Sequence, residues 1–278
     1  MLKTLVAPLR RPVSWALQRG VLPPKVRTVL PWTWCFGSFT IRGEGVACRY
    51  QSNPVDTIGQ TIFWSGLRAW ERETLPVFLS RIRAAHCFVD IGANCGIYTM
   101  LACAANPRIQ VLAVEPVPKL YKCLEANVRF GHYEERVHLA QVAVSKSNGR
   151  AQFHESIDPT MGSLLTSGYQ GKPGTLIDVA TTTLDHLLAE TALVPDFIKI
   201  DVESFEDVVL EGADYALSYY RPALVLEANP DGPYRRLTEI LTSYGYAFYH
   251  LLEQGPVLKG RIEPNGWDFR NWLCTPKR

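Results

Sequence analysis

Along this chain, short apolar runs alternate with stretches whose apolar residues recur at helical spacing. The clearest unit starts at Phe88-Val89-Asp90-Ile91, a run that suits a parallel strand covered on both faces. Gly92 and Gly96 then bracket a tight loop. From Ile97 the pattern turns helical through Met100, Leu101 and Cys103 to Ala104, and Asn106-Pro107 stops it. Downstream, strands are predicted over Gln110 to Glu115, Val137 to Val144, Ala151 to His154, Ile177 to Thr182, Phe197 to Val202 and Ala223 to Ala228. Between them the spacing predicts helices over Lys119 to Phe130, Leu184 to Glu190, Phe205 to Tyr219 and Tyr234 to Tyr244. Asn148-Gly149 reads as a hairpin turn, and Tyr246 to Leu252 with Asn271 to Cys274 as a closing antiparallel pair. Strands alternating with helices imply a mostly parallel, doubly wound α/β sheet.

Upstream, residues 38–50 alternate as a strand pair would, and a helix is predicted from Thr74 to Ala85. This divides the chain into a basic N-terminal arm over 1–36, a cap region over 37–86 and a ligand-binding domain over 87–278. A loop over 155–175, rich in Gly, Ser, Thr and Pro, is long enough to be functional.

Composition changes this picture in two places. The net charge of +2 favours neither nucleic acid nor an acidic partner, yet residues 1–43 carry seven Lys or Arg and no acid. The remainder holds 22 basic against 27 acidic residues, a net of −5. The arm reads either as a packed or membrane-touching basic segment or as a targeting peptide. The seven cysteines are scattered, with no metal-ligand spacing, as expected of a reducing, cytoplasmic compartment, and no metal is predicted. No apolar run approaches the roughly 20 residues that span a bilayer.

In doubly wound sheets ligands sit at the carboxyl ends of strands, where strand order reverses. The residues there are Asp90 and the glycine loop, Glu115-Pro116, Ala143-Val144, Asp201-Val202-Glu203 and Glu227. Glu115 lies 19 positions past Gly96, where nucleoside binders place an acid for the ribose hydroxyls. Asp90 ahead of the loop would repel a pyrophosphate, which argues against a dinucleotide. S-adenosylmethionine, with a sulfonium, an amino acid and no phosphate, fits better.

Phe88 to Tyr98, Ala113-Val114-Glu115-Pro116, Thr183-Leu184-Asp185 and Ile198 to Glu203 together resemble the FkbM-type methyltransferases over roughly 70–275. The resemblance implies a class I methyltransferase, Rossmann-like fold. It also implies S-adenosylmethionine-dependent O-methylation of a sugar, lipid or polyketide-like metabolite. By the same resemblance, Asp90, Gly92, Asn94 and Gly96 would hold the methionine end, Glu115 the ribose, and Pro116, Ala143 and Val144 the adenine. The family usually continues Asp-Val-Glu with Gly-x-Glu, whereas this chain has Ser204-Phe205-Glu206.

A hydroxyl acceptor benefits from a general base. Glu203, Asp201 and Glu227 are the candidates, against readings of Asp201 as a helix N-cap, Glu203 as a macrodipole complement and Glu227 as a plain strand-end acid. His154 reads as a surface or hairpin histidine rather than a base, and Met161-Gly162-Ser163-Leu164 either as turn chemistry or as a substrate contact. Glu71 either starts a helix or faces the site, and Cys95 is a small filler. Three competing readings remain: an NAD(P)-linked oxidoreductase, a nucleic-acid methyltransferase or binding module, and, given Ser204 and Phe205, a degenerate non-catalytic relative. The first lacks a third glycine in register, and the second is opposed by the acidic body and by the lack of a base-flipping motif.

Overall fold

The computed structural model describes residues 37–53, 56–156, 163–164 and 174–277. The arm over 1–36 and most of the 155–175 loop, including Met161-Gly162, lie outside the described residues. A hairpin of β1 (Gly37–Gly43) and β2 (Val46–Ser52) leads into α1 (Thr57–Ser65) and α2 (Leu75–Ala84). The Asp56 carboxylate caps α1 by accepting from the Gly59 N–H at 2.7 Å.

The alternating part follows as β3 (Cys87–Ile91), α3 (Ile97–Ala105), β4 (Gln110–Val114), α4 (Pro118–Gly131) and β5 (Val137–Ala140). Next come β6 (Ala143–Val144), β7 (Gly149–Ser156), β8 (Ser163–Leu164), β9 (Gly174–Thr182) and α5 (Leu184–Thr191). The chain continues with β10 (Phe197–Ile200), α6 (Glu206–Glu211), β11 (Ala223–Glu227), α7 (Tyr234–Ser243), β12 (Tyr246–Leu252), β13 (Gly255–Lys259) and β14 (Asn271–Pro276).

Among the described residues, the central sheet has eight strands in the order β13-β12-β14-β11-β10-β3-β4-β5. The run from β11 to β5 is parallel, and β14, β12 and β13 close it antiparallel. Strand order reverses beside β3, which has β4 on one side and β10 on the other. Successive side chains of each strand enter opposite layers. Phe88, Val111, Ala113, Phe197 and Val225 pack with α2, α3 and the β1–β2 hairpin, whereas Val89, Ile91, Leu112, Ile198 and Leu224 pack with α5, α6 and α7. Both faces are therefore apolar, as the unbroken runs require.

Four sequence expectations change. Val137 to Val144 is two strands in different sheets. The chain leaves the central sheet after Ala140, and β6 pairs parallel with β9 in a second sheet ordered β6-β9-β7-β8. Asn148-Gly149 does not close a hairpin, because β7 pairs with β9 and β8. Asn148 Oδ1 instead accepts from Thr182 Oγ1 at 3.0 Å and the Thr183 N–H at 3.3 Å, tying the two strands' ends together. The helix expected over Phe205 to Tyr219 stops at Glu211, since Gly212 packs directly on the Ser145 carbonyl. A separate π-helical turn follows over Ala216–Tyr220. His154 is buried rather than at the surface.

Candidate functional site

Period-two alternation explains how the polar residues meet. On β3, Asp90 shares the face of Phe88. On β10, Lys199 shares that of Phe197, and the register sets Lys199 directly beside Asp90. Glu227 continues the Val225 face of β11, and Glu115 follows Ala113 at the end of β4. Charged residues thus emerge on one face at the carboxyl ends of four adjacent strands. There they line a cavity of about 510 Å³, within the size range of small-molecule sites.

The loop after β3 is held by main-chain contacts. The Gly92 and Ala93 N–H groups both donate to the Val114 carbonyl at 3.0 Å, and the Asp201 N–H donates to Ile91 at 3.0 Å. Gly92 has φ +79°, and a Cβ there would collide with the Asp201 carbonyl. Its lack of a side chain therefore serves the contact between the β3 and β10 ends as much as any ligand. Gly96 (φ +90°) caps α3, lies outside the cavity wall and packs on Leu124. Asn94, with φ +53°, donates its N–H to Glu115 Oε2 at 2.8 Å, while the Val117 N–H donates to Glu115 Oε1 at 2.9 Å. Each Glu115 oxygen keeps further acceptor capacity, so the side chain is oriented by main chain yet able to accept two hydroxyls. Burial pushes Glu115 up to about 7 against those two hydrogen bonds.

Asp90, Gly92, Asn94, Glu115, Pro116, Ala143 and Val144 all line the cavity. Asp90 is buried and accepts from Thr99 Oγ1 at 2.7 Å, and burial raises its pKa despite the nearby Lys199 charge. The arrangement fits a nucleoside with a cationic amino-acid tail. Glu115 would hold the ribose, and the negative end around Asp90 has no place for a phosphate.

The same cavity is also lined by Trp70, Glu71, Tyr98, Lys199, Asp201, Glu203, Glu227, Trp267 and Arg270. Lys199 is buried, yet its ammonium ion pairs with Asp201 Oδ2 at 2.7 Å and lies 4.5 Å above the Tyr98 ring. Burial alone would lower its pKa, but the charges of Asp201, Glu71 and Asp90 raise it. Tyr98 donates its hydroxyl to Glu71, which also accepts from Asn271 Nδ2 at 3.3 Å. Burial pushes Glu71 up to about 7. Helix α2 begins only at Leu75, so of the two readings of Glu71 the structure adopts the one facing the site.

Glu227 is buried and pairs with Arg270 Nη1 at 2.8 Å. Burial, then the charges of Asp201 and Glu203, push it up to about 9 against Arg270. Among the described residues, Asp201, Glu203 and Glu227 bring carboxylate oxygens within 4.8 Å of one another, a spacing that a divalent cation would accept. Acidic groups cluster this way commonly without an ion.

Neither Asp201 nor Glu203 serves a helix. Phe205 occupies the N-cap of α6, while Glu203 (φ +53°) and Ser204 (φ +75°) form a left-handed pair ahead of it. Glu206 holds that loop, its Oε1 accepting from the N–H groups of Val202 at 3.3 Å and Ser204 at 3.2 Å. His154 lies off the cavity, because Phe153 takes the cavity-facing position on β7.

Sequence reasoning missed Lys199, Tyr98, Trp267 and Arg270. Lys199 carried a usable signal, a lone charge inside the apolar run Phe197 to Ile200. Arg270 carried none, as it reaches Glu227 only through the pairing of β14 with β11.

A family model described as the methyltransferase FkbM domain matches residues 90–248. The chain is 26% identical over 208 residues to the 31-O-demethyl-FK506 methyltransferase FkbM of Streptomyces tacrolimicus, spanning 64% of this chain and 78% of that protein. It is 25% identical over 223 residues to the AMB antimetabolite synthetase AmbE of Pseudomonas aeruginosa, 66% of this chain but 10% of that protein. The chain therefore spans about a tenth of AmbE's length. Among solved structures, the methyltransferase FkbM of Methylobacillus flagellatus KT is similar at a TM-score of 0.43 and 15% identity, over 81% of this chain and 55% of that one.

Proposed function

The chain belongs to the FkbM family of S-adenosylmethionine-dependent methyltransferases, and within it we propose O-methylation of a hydroxyl on a sugar, lipid or secondary-metabolite acceptor. The observation that carries this reading is one cavity lined both by Glu115, held by the Asn94 and Val117 N–H groups, and by Asp201, Glu203 and Glu227. When bound, the cofactor supplies an electrophilic methyl group on a sulfonium.

An alcohol is a poor nucleophile until its proton has somewhere to go. Glu203 is the base, its carboxylate taking the hydroxyl proton as the oxygen is alkylated. Asp201 is committed to Lys199 at 2.7 Å and fixes the charge balance of the strand end. Glu227, whose two oxygens accept from Arg270 Nη1 at 2.8 Å and Asn229 Nδ2 at 3.2 Å, holds Arg270 at the cavity wall and orients the acceptor. Trp267, 62% exposed at the cavity rim beside Arg270, offers a flat apolar surface to the body of the acceptor.

The test incubates the protein with S-adenosylmethionine and a panel of sugar, lipid and polyketide alcohols and measures S-adenosylhomocysteine release. Turnover with an alcohol should fall about 10²–10⁴-fold in Glu203→Gln while S-adenosylhomocysteine affinity is kept. Methyl transfer to amines or thiols alone, or full turnover in that variant, would overturn the reading.

A further inference from the structure

The cap region sends one acid into the cavity from a backbone conformation that its residue type disfavours. Glu71, between α1 and α2, has φ +41°, in the left-handed region. Such backbone persists only where its surroundings fix it. Here the Glu71 carbonyl accepts from the N–H groups of Thr74 and Leu75, both at 3.0 Å, as α2 starts. The side chain is fixed as well. Tyr98 Oη and Asn271 Nδ2 both donate to Glu71 Oε2, the second at 3.3 Å, and the Trp70 ring packs on Tyr98 with centroids 5.0 Å apart. Oε1 takes no donor among the described residues, and Glu71 forms part of the cavity wall. Anchoring Tyr98 and Asn271 thus uses one oxygen of the carboxylate and leaves the other for a ligand.

Strand register sets what lies beside that oxygen. Asn271 stands opposite Glu227 in the antiparallel pairing of β14 with β11, so their side chains emerge on one face. Through the Asn271 amide, Glu71 therefore joins the group in which Glu227, Asp201 and Glu203 bring their oxygens together. Trp267 reaches the same place, its ring lying 5.8 Å from the Arg270 guanidinium that pairs with Glu227.

We infer, resting on the O-methylation reading above, that Glu71 binds the acceptor and selects a sugar carrying a second hydroxyl beside the one methylated. Glu203 takes the proton of the reacting hydroxyl, while Glu71 Oε1 accepts a hydrogen bond from its neighbour, whose proton stays in place. Held at both oxygens, the ring presents one of them to the methyl group, and Trp267 covers its C–H face. A lipid or polyketide alcohol with one isolated hydroxyl leaves Oε1 without a donor, and hydrogen bonds to charged groups are the ones whose loss costs most.

The full-length protein, saturated with S-adenosylhomocysteine, is titrated by ligand-observed NMR with cyclohexane-1,2-diol, cyclohexanol, and methyl glucoside, galactoside and mannoside with their monodeoxy derivatives. The diol, and at least one glycoside, should bind about tenfold or more tightly than the counterpart lacking one hydroxyl. In Glu71→Ala that advantage should shrink to about twofold or less, whereas loss of the Tyr98 anchor alone would weaken diol and monool alike. Monools bound as tightly as diols, no binding of any diol or glycoside, or a preference kept in Glu71→Ala would overturn the proposal. The wild-type comparison can do so by itself, even if Glu71→Ala fails to fold. Turnover of the same compounds with S-adenosylmethionine separates the two readings: diol-selective binding without methyl transfer supports the role of Glu71 and counts against O-methylation.

Discussion

Replacing Gly92 with alanine tests the packing logic of the site directly. At φ +79°, a side chain there carries the left-handed cost of roughly 1–2 kcal/mol. Its Cβ would also lie 2.9 Å from the Asp201 carbonyl carbon and closer still to the oxygen. That obstacle is main chain, itself fixed by the Asp201 N–H bond to Ile91, so relief requires the β3 and β10 ends to part. Overpacking of this kind typically costs about 1–3 kcal/mol more, giving a total of about 2–5 kcal/mol. Gly96→Ala shares the conformational cost at φ +90°, but its Cβ meets the tip of Leu124, Cδ1, at 2.6 Å. A leucine tip can rotate away, so this variant should lose less, about 1–3 kcal/mol. Urea unfolding gives both differences, and calorimetry with S-adenosylhomocysteine should show binding lost in Gly92→Ala and weakened in Gly96→Ala. Gly92→Ala within about 0.5 kcal/mol of wild type, or a larger loss in Gly96→Ala, would refute the reasoning.

Glu115→Ala should weaken S-adenosylhomocysteine at least about tenfold, since it removes both the ribose acceptor and the anchor of the Asn94 and Val117 amides. Calorimetry checks it, and unchanged affinity would remove Glu115 from the cofactor site. Glu206, fully buried, is pushed up to about 8 by burial, so it stays protonated in the fold while its unfolded counterpart ionises. Its stabilising share is therefore whole below about 4.5 and is lost as pH rises to about 8. Glu206→Gln should accordingly gain on wild type between those values, by at most about 1.4 kcal/mol per pH unit, and then run parallel; denaturant midpoints that track wild type throughout would contradict it. Ser204, at φ +75°, should gain roughly 0.5–1 kcal/mol as Ser204→Gly, whereas Ser204→Val should lose stability by the same denaturation measurement.

Much of this site could be read locally. A buried strand, a glycine loop and a helix occur in sequence order at 87–105, and Glu115 stands at a distance from that loop that one strand–helix–strand unit dictates. The FkbM resemblance rested on those residues together with Thr183-Leu184-Asp185 and Ile198 to Glu203, and the family match over 90–248 bears it out. Errors arose where short segments chose between sheets. Val137 to Val144 satisfies strand patterning throughout, but whether Ala143-Val144 pairs with β4 or with β9 depends on partners far along the chain. Similarly, Phe205 to Tyr219 has helical spacing, but Gly212 lies against the Ser145 carbonyl and Asp185 caps the N–H groups of Tyr215 and Ala216, contacts from far along the chain.

Sequence periodicity marked most of the strands and helices of the alternating core, and strand ends marked where charges emerge, because both follow from contacts within a few residues. The tertiary structure decided which of those charges meet. The register of β10 against β3 put Lys199 beside Asp90, and the return of β14 onto β11 brought Arg270 to Glu227. The fold also bent Glu203 and Ser204 into left-handed conformations that their residue types do not call for, whereas Asn94 is a residue that adopts it readily. Burial then shifted the acids, because desolvation depends on everything packed around a carboxyl and not on its place in the chain.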